Sequence, residues 1–150
     1  MNKFRHTIIP AVYLILEKED KILFLKRMNT GHEDGNYSLV AGHIDDGESP
    51  TQALVREAKE EAGIGIDASD LHFCNVLYRR EIKEDGTVEQ RVDFFFSTHI
   101  WTGEVRNMEP EKCGDLSWFA LDRMPENVVS YVKTALSHYR NGLVYSEFGW

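Results

Sequence analysis

Arg56, Glu57, Glu60 and Glu61 crowd one charged segment of the chain. At about 100° per residue, positions 57, 60 and 61 of a helix share one face within a turn of each other. Like charges at three- and four-residue spacing each destabilise a helix by roughly 0.2–0.5 kcal/mol, so something should offset them. A hard divalent cation does so: Mg²⁺ takes oxygen ligands, keeps several waters and binds through a few carboxylates together with substrate phosphates. The acidic face would then be a phosphate site by way of metal. The plainer alternative is a solvated helix face, since Glu and Lys are good helix formers, and for this short run alone the plainer alternative prevails.

The longer spacing overturns it. Residues 42–64 read GHIDDGESPTQALVREAKEEAGI, in which Gly42, Glu48, Arg56, Glu57, Glu60, Glu61 and Gly63 fill every fixed position of G-x5-E-x7-R-E-U-x-E-E-x-G-U, with Ala58 and Ile64 at the apolar positions. Seven such residues at average usage would coincide by chance on the order of 10⁻⁸ times per starting position. The segment resembles the signature of the Nudix hydrolases, which cleave a nucleoside diphosphate linked to a further group. The resemblance implies that Glu57, Glu60 and Glu61 are metal ligands, that Arg56 orients the carboxylates, and that Glu48 reaches the same cluster. It also implies a backbone carbonyl ligand just before the box, here Ala41, and an acid from a later loop. Glu104, after Gly103, is the first candidate for that acid, with Glu109 and Glu111 as alternatives. One departure stands out: Val40-Ala41-Gly42 replaces the Pro-Gly-Gly often found in the family, and His43 follows the box glycine.

These residues need a scaffold. Residues 7–17 and 22–25 are apolar runs flanking Lys18-Glu19-Asp20-Lys21 and predict an opening hairpin. A polar loop over 29–36 and a turn-rich stretch over 42–48 flank a short strand at 37–41. Ser49 as N-cap, Pro50 at the first helical position and Gln52 closing a capping box predict a helix running to Ala62 and stopping at Gly63. Strands are expected over 71–81 and 88–100, joined across Asp85-Gly86, then over 116–121. Alternation of Val92, Phe94 and Phe96 with Asp93, Phe95 and Ser97 predicts a strand covered on both faces. A second helix is expected over 125–139, with Val128, Val132, Ala135 and Tyr139 as its apolar stripe. The order implies an α+β, mixed α/β fold; with the resemblance, it is an α/β/α sandwich of two main helices around a mixed, largely antiparallel sheet. The aromatic tail at 145–150 is expected to pack against the domain or a partner subunit rather than to take part in catalysis.

Bulk properties set limits. The 150 residues, 42% hydrophobic, suit one domain, residues 1–150. No apolar run is long enough to span a membrane, and the opening Met-Asn-Lys-Phe-Arg-His leads into no signal peptide, so a cytoplasmic protein is expected. Cys74 and Cys113 form no metal or disulfide pattern. Net charge of -8 argues against nucleic-acid coating and for a cation between protein and any anionic substrate.

The implied chemistry is Mg²⁺-dependent hydrolysis of a pyrophosphate bond, with Mn²⁺ as a substitute and a glutamate as general base, Glu57 first and Glu104 second. The expected substrate is a small nucleotide. A nucleoside triphosphate releasing monophosphate and pyrophosphate leads, ADP-ribose or a nucleotide sugar is the alternative, and a ligand-sensing module without catalysis the third reading. Monomer and homodimer both stay open. Tyr37, Trp101, Phe95 and Trp118 are candidates for base stacking, although strand aromatics are more often core. Lys26, Arg27, Arg79, Arg80 and Arg91 are candidates for phosphate, against a default of facing water. Of the histidines 6, 32, 43, 72, 99 and 138, only His43 lies in the box.

Overall fold

The computed structural model describes residues 3–150; Met1 and Asn2, the start of the N-terminal hexapeptide, lie outside them. Eight strands form one mixed sheet: β1 (Ile9–Lys18), β2 (Lys21–Arg27), β3 (Tyr37–Ser38), β4 (Val40–His43), β5 (His72–Ile82), β6 (Val88–Thr98), β7 (Cys113–Ala120) and β8 (Tyr145–Phe148). Two helices, α1 (Pro50–Ala62) and α2 (Ser130–Arg140), complete the expected α+β sandwich. Pairing is antiparallel except for β1 with β6 and β5 with β8.

The two-residue period of β1 sorts its side chains between the helices. Ala11, Tyr13 and Ile15 face a core containing Tyr131, Val132, Ala135 and Leu136 of α2. Val12, Leu14 and Leu16 face a second core containing Ala53, Leu54, Ala58 and Ala62 of α1. Both faces of β1 are therefore covered, and so are those of β6 at Asp93, Phe95 and Phe96.

Helix α1 begins and ends as its sequence predicts. Ser49 Oγ accepts from Gln52 N and the Gln52 side chain returns to Ser49 N, while Gly63 takes a left-handed φ of 70°. Two boundaries differ from expectation. Residues 125–129 are not helical, because β3 uses their backbone: Tyr37 N donates to Asn127 O and Val129 N donates to Tyr37 O. The stretch expected to turn from residue 42 onward remains a strand through His43, since β1 pairs with it at Ala11↔His43 and Val12↔Gly42. The C-terminal tail packs on the domain, β8 adding to β5 and Trp150 stacking on Tyr78.

Candidate active site

Strand β4 and helix α1 meet at Gly42. A Cβ on Gly42 would overlap Glu57 Cδ and Oε1, so only glycine lets this carboxylate lie against the strand. One residue earlier, Ala41 N donates to Glu61 Oε2 at 2.9 Å. The strand backbone thus fixes the positions of two box carboxylates.

Arg56 organises the rest. Its Nε and Nη2 donate to Glu48 Oε2 and Oε1 at 2.9 and 2.7 Å, and its Nη1 donates to Glu57 Oε1 at 2.8 Å. Nη1 reaches Glu60 Oε2 at 3.4 Å, and Nη2 reaches His43 O at 3.1 Å. The two-pronged contact, with Asp45 N donating to Glu48 as well, depresses the Glu48 carboxyl to about 2. Glu57 moves upward: burial outweighs the Arg56 bond that favours its charged form, and Glu60 and Glu109 push the same way. Glu61 lies well above the usual carboxylate range, chiefly through burial, with Glu57 and Glu109 adding to it against the Ala41 bond.

A cleft of about 610 Å³ opens beside these groups. Ala41, Glu57, Glu60 and Glu61 line it, while Arg56 and Glu48 stand behind and hold Glu57. Glu104 is exposed and does not line the cleft: Thr102 bonds Gly65 in both directions, and the chain turns at Gly103 beside the end of α1. Glu109 lines it instead, carried there because Arg106 N and Met108 N donate to Ala62 O and Glu61 O; Glu111 does not.

The donor set suits a hard divalent cation. It consists of carboxylate oxygens, two of them on part-buried groups that repel each other, and among the described residues Glu61 has no ion-pair partner. Among the described residues no three acidic, histidine or cysteine side chains form a complete cage, so a cation here would draw further ligands from water and phosphate.

The opposite wall of the cleft was harder to read in the sequence. Of the basic candidates, Arg27, Arg79 and Arg91 line it, and Lys26 and Arg80 do not. Of the aromatic candidates none does: Phe95 is fully buried, Tyr37 packs on the α2 core, and Trp101 stacks on Trp118 in the α1 core. Tyr13, Tyr131 and His32 take that place. Their signal was weak, because Tyr13 sits within an apolar strand run and Tyr131 falls one residue before the stripe position Val132. His32 Nε2 lies 3.2 Å from Tyr131 Oη, and the two rings stack. His43 also lines the cleft, its imidazole held below its ordinary value by burial and by Arg91.

The NUDIX domain family matches residues 7–138. An ADP-ribose pyrophosphatase of Methanocaldococcus jannaschii is 41% identical over 93% of this chain and 79% of its own length. An NAD-capped RNA hydrolase NudC of Salmonella typhi is 24% identical over 83% of this chain, which spans only 44% of that protein. The crystal structure of a MutT NUDIX hydrolase from Burkholderia pseudomallei superposes with a TM-score of 0.78 at 28% identity, covering 89% of this chain and 98% of that one. The chain belongs to the Nudix family. It is a hydrolase acting on the phosphoric anhydride bond of nucleoside diphosphates joined to a further group. Among the described residues no helix is long and apolar enough to cross a membrane.

Proposed function

We propose that this enzyme uses Mg²⁺, or Mn²⁺ in its place, to hydrolyse ADP-ribose or a closely similar nucleoside diphosphate sugar to a nucleoside monophosphate and a sugar phosphate. The observation that carries the substrate class is the 41% identity, along nearly the whole chain, to a protein named for ADP-ribose pyrophosphatase activity. The cleft supports it. Carboxylates line one side and Tyr13, Tyr131 and His32 another, leaving room for a group on each side of a central diphosphate.

Glu57, Glu60 and Glu61 would hold the cation with the Ala41 carbonyl. When bound, it would polarise the phosphate oxygens and acidify the attacking water. Glu57 is the proposed general base: it lines the cleft and Arg56 fixes its orientation. Glu48 keeps Arg56 in place. Glu109, rather than Glu104, has the position from which a later-loop acid can reach the cleft. The nucleoside triphosphate reading is the alternative within the same chemistry. The wider proposal is one catalytic domain, monomeric or homodimeric, acting on small nucleotides in the cytoplasm; its net charge of -8 supports a partner other than nucleic acid.

The test is a panel of ADP-ribose, nucleotide sugars and nucleoside triphosphates incubated with Mg²⁺ and separated by chromatography. Turnover concentrated on ADP-ribose supports the reading. Preferential release of pyrophosphate from a triphosphate transfers the mechanism to the other substrate class.

A further inference from the structure

Arg79 and Arg91 stand directly opposite each other in the antiparallel register of β5 and β6, and both line the cleft. Their side chains are only 3% and 14% exposed. Like charges directly opposite across strands are destabilising, and burial sharpens the cost. The neighbouring acids only partly answer it. Asp93 Oδ2 accepts from Arg79 Nε at 2.6 Å and Glu81 Oε2 from Nη1 at 3.3 Å, and among the described residues Arg79 Nη2 has no hydrogen bond. Glu89 accepts from Arg91 Nη1 at 2.9 Å but is shared with Lys83 at 2.6 Å. Arg91 Nε is buried and has no hydrogen-bond partner among the described residues.

Each guanidinium is also held in orientation by a group that does not neutralise it. Tyr131 lays its ring against Arg79, 3.9 Å from the guanidinium carbon to the ring centre. His43 Nε2 meets Arg91 Nη2 at 2.5 Å, and the His43 carbonyl accepts from Arg56. His43 therefore ties Arg91 to the strand that carries Gly42 and faces Glu57. Two oriented guanidiniums with N–H groups to spare, next to an acidic metal-binding wall, fit the part of a diphosphate that the cation leaves uncompensated.

We propose that Arg79 and Arg91 form a metal-independent anion subsite that takes one phosphate of the substrate, with His43 as the positioning residue for Arg91. The proposal rests on the diphosphate-hydrolase reading above and makes the arginine pair the element that sets substrate affinity. The box carboxylates carry the chemistry.

The experiment uses inorganic pyrophosphate as probe, in chelator, with thermal unfolding as readout, on wild type, Arg91→Met, His43→Ala and Glu57→Gln. The expected result is a pyrophosphate-dependent rise in Tm for wild type and Glu57→Gln, lost in Arg91→Met and reduced in His43→Ala. In Mg²⁺, Arg91→Met should raise KM for ADP-ribose by about 10- to 100-fold, the range for a lost charged hydrogen bond, with a smaller change in kcat. Arg91 is preferred to the more buried Arg79 because its replacement leaves the Asp93 ion pair intact. An equal shift in Arg91→Met, or none in wild type, overturns the subsite. If ADP-ribose is not hydrolysed but the Arg91-dependent shift is present, the subsite stands and only the substrate assignment falls.

Discussion

Gly42 and Glu57 share one space: the volume a side chain would need at residue 42 is filled by the carboxyl group of residue 57. The invading atoms belong to a flexible side chain, so Gly42→Ala can be accommodated by displacing Glu57 rather than the strand. The protein should stay folded, with a loss of about 1–3 kcal/mol, while activity falls by about 100-fold, as expected for a misplaced reacting group. Denaturant unfolding and steady-state rates on the same preparation check both halves.

The Glu48–Arg56 pair has an acid limit. Glu48 is depressed from 4.5 to about 2, so its contribution to stability is fully present above its unfolded value. It is lost as pH falls through that window. Tm measured from pH 6 down to about pH 2 should therefore fall more steeply for wild type than for Glu48→Gln, and equal slopes would show that the Glu48–Arg56 pair adds no pH-dependent stability.

Asp93, fully buried, is the counter-ion of the nearly buried Arg79. Asp93→Leu should destabilise the fold by about 3–5 kcal/mol by leaving that guanidinium only the longer contact to the partly exposed Glu81, and the double change with Arg79→Met should recover much of the loss. A double-mutant cycle in urea measures the coupling, which should be absent if the pair is merely adjacent.

Glu109 and Glu104 make separable claims. Glu109→Gln should lower kcat by about 10-fold or more, whereas Glu104→Gln should leave it within about two-fold, because only Glu109 lines the cleft. Rates for the two variants at saturating Mg²⁺ decide between them.

Local signals were the legible ones. Ser49, Pro50, Gln52 and Gly63 define α1 because capping depends on residues within a few positions of each helix end. The resemblance carried by the box implied Arg56 beside the carboxylates, and its contacts to Glu48, Glu57 and Glu60 do lie along one helix and the loop before it. What depended on distant pairing was not legible. Helix α2 starts at Ser130 because β3, far away in sequence, takes the backbone of Asn127 and Val129. Glu109 reaches the cleft through hydrogen bonds to the end of α1, and Tyr131 and His32 meet across a separation of 99 residues.

A Glu57-centred, cation-dependent site is proposed to cleave a nucleoside diphosphate sugar. The most direct measurement is release of AMP and ribose 5-phosphate from ADP-ribose by wild type and Glu57→Gln, each with Mg²⁺ and with chelator, after both are shown to be folded. Turnover by wild type with Mg²⁺ is expected, abolished by chelator and reduced by about 10²–10⁴-fold in Glu57→Gln. An undiminished rate in chelator, or in the folded Glu57→Gln variant, would contradict it.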